Sequence, residues 1–327
     1  MTNNSPYIEV TLRLNTMSVR DKRKQQLIQC RDGAHDRRTI NNIVKKVAAG
    51  MGIKRKLAEE ASDEKKKKSK KVCIVKGEGQ YVYDEEGKQY LDCTASVTHV
   101  GHAHPHVVKA FCENQSNALH WNGENIDQRI SKQREAFISK LKTLLPQSLS
   151  KVILVNSGSS ANGLAIQLCQ AATSRQDVVV FDHTFHGSLS VASSCSPMTF
   201  KRDGVGEKKP WVHILPVPDL YRGPYRENDP AAVMKYFLQA KEKLSELDRK
   251  GVKISCILME PIFTFQGMTM AEPVYMQELV KFVHQLGALV VVDEVQGGLG
   301  RLGTTWGYQH LGIEPDILTC GKPLSNG

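Results

Sequence analysis

Several features that would place the chain in a familiar class are missing from its 327 residues. No apolar run approaches the ~18 residues that a membrane span needs, and no hydrophobic signal peptide opens the sequence. The eight cysteines include no Cys-x-x-Cys pair, which argues against a zinc site and against the disulfide framework of a secreted protein. No Gly-x-Gly-x-x-Gly follows the first predicted parallel strand, which disfavours a dinucleotide-binding fold. We therefore expect no membrane span and no metal, and a reducing, intracellular compartment.

Positive charge is concentrated at the start of the chain. The formal net charge is +10, and residues 1–71 contain 19 Lys and Arg against 8 Asp and Glu, so the remainder is close to neutral. The folded body thus gives no electrostatic reason to expect a nucleic-acid partner. We expect residues 1–71 to form a basic, largely disordered extension, with at most one short amphipathic helix near 40–47. Cytoplasm and mitochondrion both stay open, and the basic runs fit either nuclear import or a solvated linker.

Two short apolar runs late in the sequence predict neighbouring buried strands. They occupy residues 288–292 and 316–320 and have the length and β-branched content of parallel strands. Asp293 follows the first run and Lys322 follows the second. Because ligands bind at the carboxyl ends of the strands in an open α/β sheet, we expect this acid and this lysine to face one crevice. A structural ion pair at the strand ends would give the same pattern without a ligand.

A second candidate site follows a strand predicted over residues 152–155. The turn contains Ser157, Gly158 and Ser159, and a helix begins there. The free backbone N–H groups and the dipole at a helix N-terminus favour an anion, and small side chains let a phosphate approach. An N-terminal cap without any ligand has a similar sequence.

In this order, the motifs resemble those of the class-III aminotransferases, which are fold type I enzymes that use pyridoxal 5'-phosphate (PLP). The resemblance covers about residues 72–327. It rests on five ordered motifs, namely Gly-His-Ala-His-Pro at 101–105, Asn-Ser-Gly at 156–158, Phe-His-Gly at 185–187, Glu-Pro at 260–261 and Asp-Glu-Val-Gln at 293–296 followed by Lys322. The chain departs from the family at Ser160, where Glu is usual, and at 266–268, where the family has Gly-Gly.

The resemblance implies a role for each candidate site residue. Lys322 would be the catalytic lysine that carries the cofactor as a Schiff base, and Asp293 would keep the pyridine nitrogen protonated. The other residues that would bind PLP are Ser157, Gly158 and Ser159 at the phosphate, Phe185 and Val295 on the ring faces, Gln296 at the phenolic oxygen, and His186 and Glu260 nearby.

The polar loop at residues 218–227 resembles one in the phospho-lyase branch of the family, which acts on ethanolamine phosphate or 5-phosphohydroxylysine. Arg222 and Arg226 would suit a substrate phosphate by charge, although a solvated loop explains them equally well. We expect a phospho-lyase that releases aldehyde, ammonia and phosphate from a phosphorylated amine. The alternatives are an alanine–glyoxylate-type aminotransferase and an inactive, truncated PLP-binding protein. The implied partners are a small-molecule amine and, in the complete protein, a second copy in a homodimer.

Strands and helices alternate from about residue 150 onward, which is typical of a parallel sheet. We therefore expect an α/β fold of the fold type I class, with a mostly parallel sheet flanked by helices and C-terminally incomplete relative to the family. Residues 72–115 would form a hairpin and helix of the small domain. Residues 116–327 would form the PLP-binding large domain, truncated after the lysine.

Overall fold

The computed structural model describes residues 72–116, 132–201 and 208–327. The basic extension and the short helix considered near 40–47 lie outside the described residues. Within the described ranges, no helix has both the length and the apolar character to cross a membrane.

The described residues form eight strands and nine α-helices. The strands are β1 Ile74–Glu78, β2 Tyr81–Asp84, β3 Gln89–Leu91, β4 Asp177–Phe181, β5 Val212–Leu215, β6 Ile254–Met259, β7 Leu289–Asp293 and β8 Ile317–Thr319. The helices are α1 Pro105–Ser116, α2 Lys132–Lys142, α3 Gly158–Thr173, α4 Ser190–Ser194, α5 Pro197–Phe200, α6 Ala232–Arg249, α7 Pro273–Gln285, α8 Tyr308–Leu311 and α9 Lys322–Ser325.

The first three strands form a small antiparallel sheet in the order β1-β2-β3. The hairpin expected within residues 72–115 is present as β2 and β3, and β1 adds a third strand to it. Asp84 stabilises the turn, because its side chain accepts hydrogen bonds from the backbone N–H groups of Glu86 and Lys88 at 3.0 and 2.9 Å.

The other five strands form a wholly parallel sheet in the order β5-β4-β6-β7-β8. This confirms the predicted α/β architecture. The chain moves from β4 to one edge and then returns to the other side of β4, so the strand order reverses between β4 and β6. Such a reversal opens a crevice at the carboxyl ends of the strands.

Both faces of the parallel sheet are covered, which explains the continuous apolar runs of its strands. In β7, Val290 and Val292 pack on one face against α6 and α7, through residues such as Tyr236 and Tyr275. Val291 points to the opposite face, where it belongs to the cluster that contains Ile166 of α3. The core therefore fixes the position of each strand end.

The strand predicted over residues 152–155 is wrong, because this segment is irregular. Ile153, Leu154 and Val155 remain 59%, 42% and 44% exposed. An apolar groove of about 350 Å³ is lined both by this segment and by the edge strand β8. A β-branched sequence becomes a strand only when a neighbour supplies ladder hydrogen bonds, and no described strand pairs with this one.

Candidate active site

The carboxyl ends of four neighbouring strands deliver the predicted site residues to one edge of the sheet. Phe185 and His186 lie in the loop after β4, Glu260 follows β6, Asp293 ends β7, and Lys322 begins the short helix after β8. The chain order of these strands places the loops around the crevice at the strand reversal.

The N-terminus of α3 closes the crevice on one side. Ser157 caps the helix, accepting a hydrogen bond from the backbone N–H of Ser160 at 3.1 Å. The first N–H groups of a helix have no intrahelical acceptor, so those of Gly158 and Ser159 suit an anion. Ser160, which stands where the family has Glu, donates to Asn156 Oδ1 at 2.7 Å and thus ties the cap to the preceding residue.

Three glycines lie where the site loops approach each other closely. A Cβ atom on Gly158 would lie 2.8 Å from Val295 Cγ2, and one on Gly321 would lie 3.2 Å from Val295 Cγ1. Gly187 has a φ of 145°, and a Cβ there would lie 2.6 Å from the Ser159 hydroxyl. The turn at residues 157–159, Val295 and the residue before Lys322 therefore lie in contact with one another.

Asp293 is buried in a ring of hydrogen-bond donors. Its Oδ2 accepts from Asn162 Nδ2 at 2.7 Å and from His186 Nδ1 at 2.8 Å, and its Oδ1 accepts from the backbone N–H of Val295 at 3.0 Å. An ionised carboxylate only accepts hydrogen bonds, which matches this donor set. The side chain of Asp293 is 4% exposed, so its orientation is fixed by these partners.

Two residues of this network were not predicted as site residues. Asn162 also donates to the carbonyl of His186 at 2.8 Å, and its Oδ1 accepts from the Thr319 hydroxyl at 2.6 Å. Asn162 thereby links α3, the β4 loop, β7 and β8. A polar residue on the otherwise buried face of α3 was the only sequence signal, and Thr319 within a strand gave none.

His186 is fully buried, and its ring orientation follows from the contact with Asp293. Because the carboxylate can only accept, Nδ1 carries the proton. Nε2 has no hydrogen-bond partner among the described residues. An unpartnered buried polar atom is uncommon in folded proteins, and such atoms concentrate at functional sites.

The buried Glu260 carboxylate holds the loop after β4 in position. Its carboxylate accepts from the backbone N–H groups of Phe185 at 3.0 Å and Thr264 at 3.3 Å. Burial raises the pKa of Glu260, the charge of His186 opposes this shift and the charge of Asp293 adds to it. The ring of Phe185 makes an edge contact with Phe265 at a centroid distance of 5.6 Å. The predicted stacking of Phe185 on a cofactor ring stays a prediction.

Lys322 is half-buried at the start of α9. Burial lowers its pKa, Asp293 and Glu260 raise it, and the positive charge of Arg301 lowers it further. A lowered lysine pKa increases the fraction of neutral amine, which is the nucleophilic form. The site therefore favours the chemistry expected of a carbonyl-binding lysine.

Gln296 and Glu294 serve the loop that follows β7. Gln296 is buried, and its amide donates to the carbonyl of Ser96 at 3.3 Å, so its predicted contact with a phenolic oxygen stays a prediction. Glu294 is fully buried, and it accepts from the backbone N–H of Tyr308 at 2.8 Å. Burial raises the pKa of Glu294 to about 7. Glu294 thus closes the glycine-rich loop back onto the sheet.

The chain belongs to the class-III aminotransferase family. The family model for aminotransferase class-III matches residues 62–327. Among curated relatives, "Alanine--glyoxylate aminotransferase 2-like" of Drosophila melanogaster is 36% identical over 78% of this chain and 51% of the relative. "Ethanolamine-phosphate phospho-lyase homolog 1" of Caenorhabditis elegans is 32% identical over 76% of this chain and 54% of the relative.

Solved structures agree with this assignment. A phospholyase from Arthrobacter in complex with phosphoethanolamine superimposes with a TM-score of 0.71 at 27% identity, covering 84% of this chain and 63% of the other. The fold is therefore that of a fold type I enzyme, as predicted. The chain spans about half the length of the curated relatives that it matches.

Class-III aminotransferases depend on PLP, and the residues present here fit that cofactor. The α3 N-terminus offers backbone donors of the kind that bind phosphate, and the missing Cβ of Gly158 lets Val295 pack closely beside them. Asp293 offers a buried carboxylate for a protonated ring nitrogen, and Lys322 offers an amine of lowered pKa. The α3 N-terminus, Asp293 and Lys322 thus offer groups that suit the phosphate, the ring nitrogen and the Schiff-base carbon of PLP, respectively.

Proposed function

We propose that the complete protein is a PLP-dependent phospho-lyase, which eliminates phosphate from a phosphorylated amine of the phosphoethanolamine or 5-phosphohydroxylysine type. The observation that carries the proposal is the convergence of Lys322, Asp293 and the α3 N-terminus at one sheet edge. The similarity to a phospholyase solved with phosphoethanolamine supports the choice of substrate class.

PLP, when bound, supplies an electron sink for charge that develops on the carbon bearing the substrate nitrogen. Asp293, held by Asn162, His186 and the Val295 backbone, keeps a proton on the ring nitrogen. The α3 N-terminus would bind the cofactor phosphate. Phe185 and Val295 would border the cofactor ring, and the close packing of Val295 against Gly158 and Gly321 fixes the position of the Val295 side chain.

Lys322 moves the proton in this proposal. Its amine would take the proton from the carbon that bears nitrogen. The electron pair left on that carbon would allow the carbon–oxygen bond on the adjacent carbon to break, and phosphate would leave with the pair of the broken bond. A proton would return to that adjacent carbon, and water would then replace nitrogen, which gives an aldehyde and ammonia. The lowered pKa of Lys322 supports its role as the base.

Transamination of the alanine–glyoxylate type is the second candidate, because a relative at 36% identity carries that description. Lys322 would move the same proton in transamination. No phosphate would leave, and the amino group would be transferred instead. A binding protein that holds PLP without turnover is the third candidate. We further propose that the complete protein is a homodimer, and light scattering at several concentrations tests that assembly.

One experiment separates these functions. The PLP-saturated protein is incubated with phosphoethanolamine, and the release of inorganic phosphate is measured. In a parallel assay, the protein is incubated with alanine and glyoxylate, and amino transfer is measured. The phospho-lyase proposal expects phosphate release that Lys322→Ala abolishes. Amino transfer without phosphate release supports the aminotransferase, and bound cofactor without either product supports the binding protein.

A further inference from the structure

We propose that Arg301 binds the anionic group of the substrate at the rim of the cofactor site. If the proposed function holds, this anion is a phosphate monoester. The inference rests on the proposed function for the identity of the anion, whereas the cationic site itself follows from the geometry of the described residues.

Arg301 is fixed beside the predicted cofactor site. Its Nη2 donates to the carbonyl of Ser96 at 3.0 Å and to His99 Nδ1 at 2.8 Å. The amide of Gln296 donates to the same Ser96 carbonyl at 3.3 Å. Because both groups share one acceptor, the guanidinium lies next to the Gln296 side chain, which the sequence assigned to the cofactor.

The partners of Arg301 leave its charge uncompensated. Ser96 offers a neutral carbonyl. His99 accepts from Arg301 through Nδ1 and contacts the carbonyl of Gly298 through Nε2 at 3.0 Å, an arrangement that only the neutral Nε2–H tautomer satisfies. Burial lowers the pKa of His99, and the charge of Arg301 adds to this effect. None of the ion pairs among the described residues includes Arg301.

The guanidinium keeps donors available for a ligand. Nη2 uses its two N–H groups on Ser96 and His99, and Nε and Nη1 have no acceptor among the residues that the structure describes. The side chain is exposed, and its charge acts on the Lys322 amine. A pre-oriented arginine with a free edge suits a phosphate, which it can contact through two parallel hydrogen bonds.

Arg222, one of the two loop arginines that the sequence analysis considered for a substrate phosphate, is less suited to this role. Arg222 donates through Nε to the buried Asp219 carboxylate at 2.9 Å, so its charge is offset. It also donates to the carbonyl of Gln266, which ties the 218–227 loop to the turn at 264–268. Arg226 is exposed on that loop, carries the same charge and is the competing candidate that the test includes.

The test compares an anionic and a neutral amine. Dissociation constants for phosphoethanolamine and ethanolamine are measured from the visible absorbance of the PLP-saturated full chain, for the wild type and for Arg301→Gln, Arg301→Lys and Arg226→Gln. We expect Arg301→Gln to weaken phosphoethanolamine binding by about 10- to 100-fold while ethanolamine binding stays essentially unchanged. Arg301→Lys should recover part of the loss, and Arg226→Gln should have little effect.

Three outcomes overturn the inference. They are an equal loss for both amines in Arg301→Gln, a selective loss in Arg226→Gln instead, and a wild type that does not prefer the anionic amine. Phosphate release, measured in parallel, separates this inference from the proposed function. Selective binding through Arg301 without phosphate release refutes the lyase and supports the anion site. Phosphate release that Arg301→Gln leaves unchanged supports the lyase and refutes the anion site.

Discussion

Asn162 joins α3 to the β4 loop and to the carboxyl ends of β7 and β8, and its removal should weaken both the fold and the cofactor site. Asn162→Ala deletes the donors to Asp293 Oδ2 and to the carbonyl of His186, and it deletes the acceptor of the Thr319 hydroxyl. The residue is 1% exposed, so water does not readily replace these partners. Neither the helix propensity of alanine nor its smaller volume compensates for the lost polar contacts.

The expected magnitude follows from the groups left unpaired. Each buried polar group without a partner costs ~1–3 kcal/mol. Asp293 retains His186 and the Val295 N–H, and the Thr319 hydroxyl can rotate, so the losses do not add fully. We expect the free energy of unfolding to fall by about 2–4 kcal/mol. Because the Asp293 carboxylate loses one of its supports, PLP affinity should fall by about tenfold, equivalent to ~1.4 kcal/mol.

Urea unfolding and PLP titration of the same variants measure both effects. Gln167→Ala is the matched control, since Gln167 is exposed on the same helix and should change stability by less than ~0.5 kcal/mol. Thr319→Val isolates one hydrogen bond, and a double-mutant cycle with Asn162→Ala should give a coupling energy of about 1 kcal/mol. An Asn162→Ala protein as stable as the control, with unchanged PLP affinity, would refute the proposed network.

Three further predictions test single contacts. Burial raises the pKa of Glu294 from 4.5 to about 7 in the folded protein. The folded state therefore binds the proton more tightly than the unfolded state, and the free energy of unfolding should fall as pH rises from about 4.5 to 7. Glu294→Gln should flatten that part of the pH profile of urea unfolding. Gly158→Ala places a Cβ 2.8 Å from Val295 Cγ2 and should cost ~1–3 kcal/mol, a loss that an added Val295→Ala should partly restore. Borohydride treatment of the PLP-loaded protein should attach the cofactor covalently to the peptide that contains Lys322, and mass spectrometry of Lys322→Ala should find no adduct.

Local sequence pattern predicts the position of a residue in the fold where that residue ends or follows a buried strand. The valine run of β7 is buried on both faces, so its end at Asp293 could be predicted to within a residue. The position of Lys322 could be predicted in the same way, because it follows the short apolar run of β8. Both positions depend on the general rule that parallel strands present their carboxyl ends to a ligand.

The contacts that sequence reasoning missed join residues far apart in the chain. Asn162 and Thr319 are separated by 157 positions, and neither lies in a pattern that predicts the hydrogen bond between them. The sequence also did not predict that Asp219 offsets the charge of Arg222, because only the fold orients this guanidinium toward Asp219 and the 264–268 turn. The error at residues 152–155 has the same origin, since a strand requires a neighbour that local sequence does not specify.

Cofactor binding and the stability of the sheet edge should be linked through the three buried acids. Glu260, Asp293 and Glu294 are each 4% exposed or less, and burial raises the pKa of the first and the last. Taking carboxylates out of water is costly unless positive charge or donors compensate. Lys322 and a protonated ring nitrogen would supply that compensation next to Asp293. A ligand that binds only the folded chain stabilises it by RT ln(1 + [L]/Kd), or ~2.7 kcal/mol at a hundredfold excess over Kd. PLP should therefore raise the unfolding midpoint, and this gain should shrink in Asp293→Asn, which keeps the shape of the carboxylate and removes its charge.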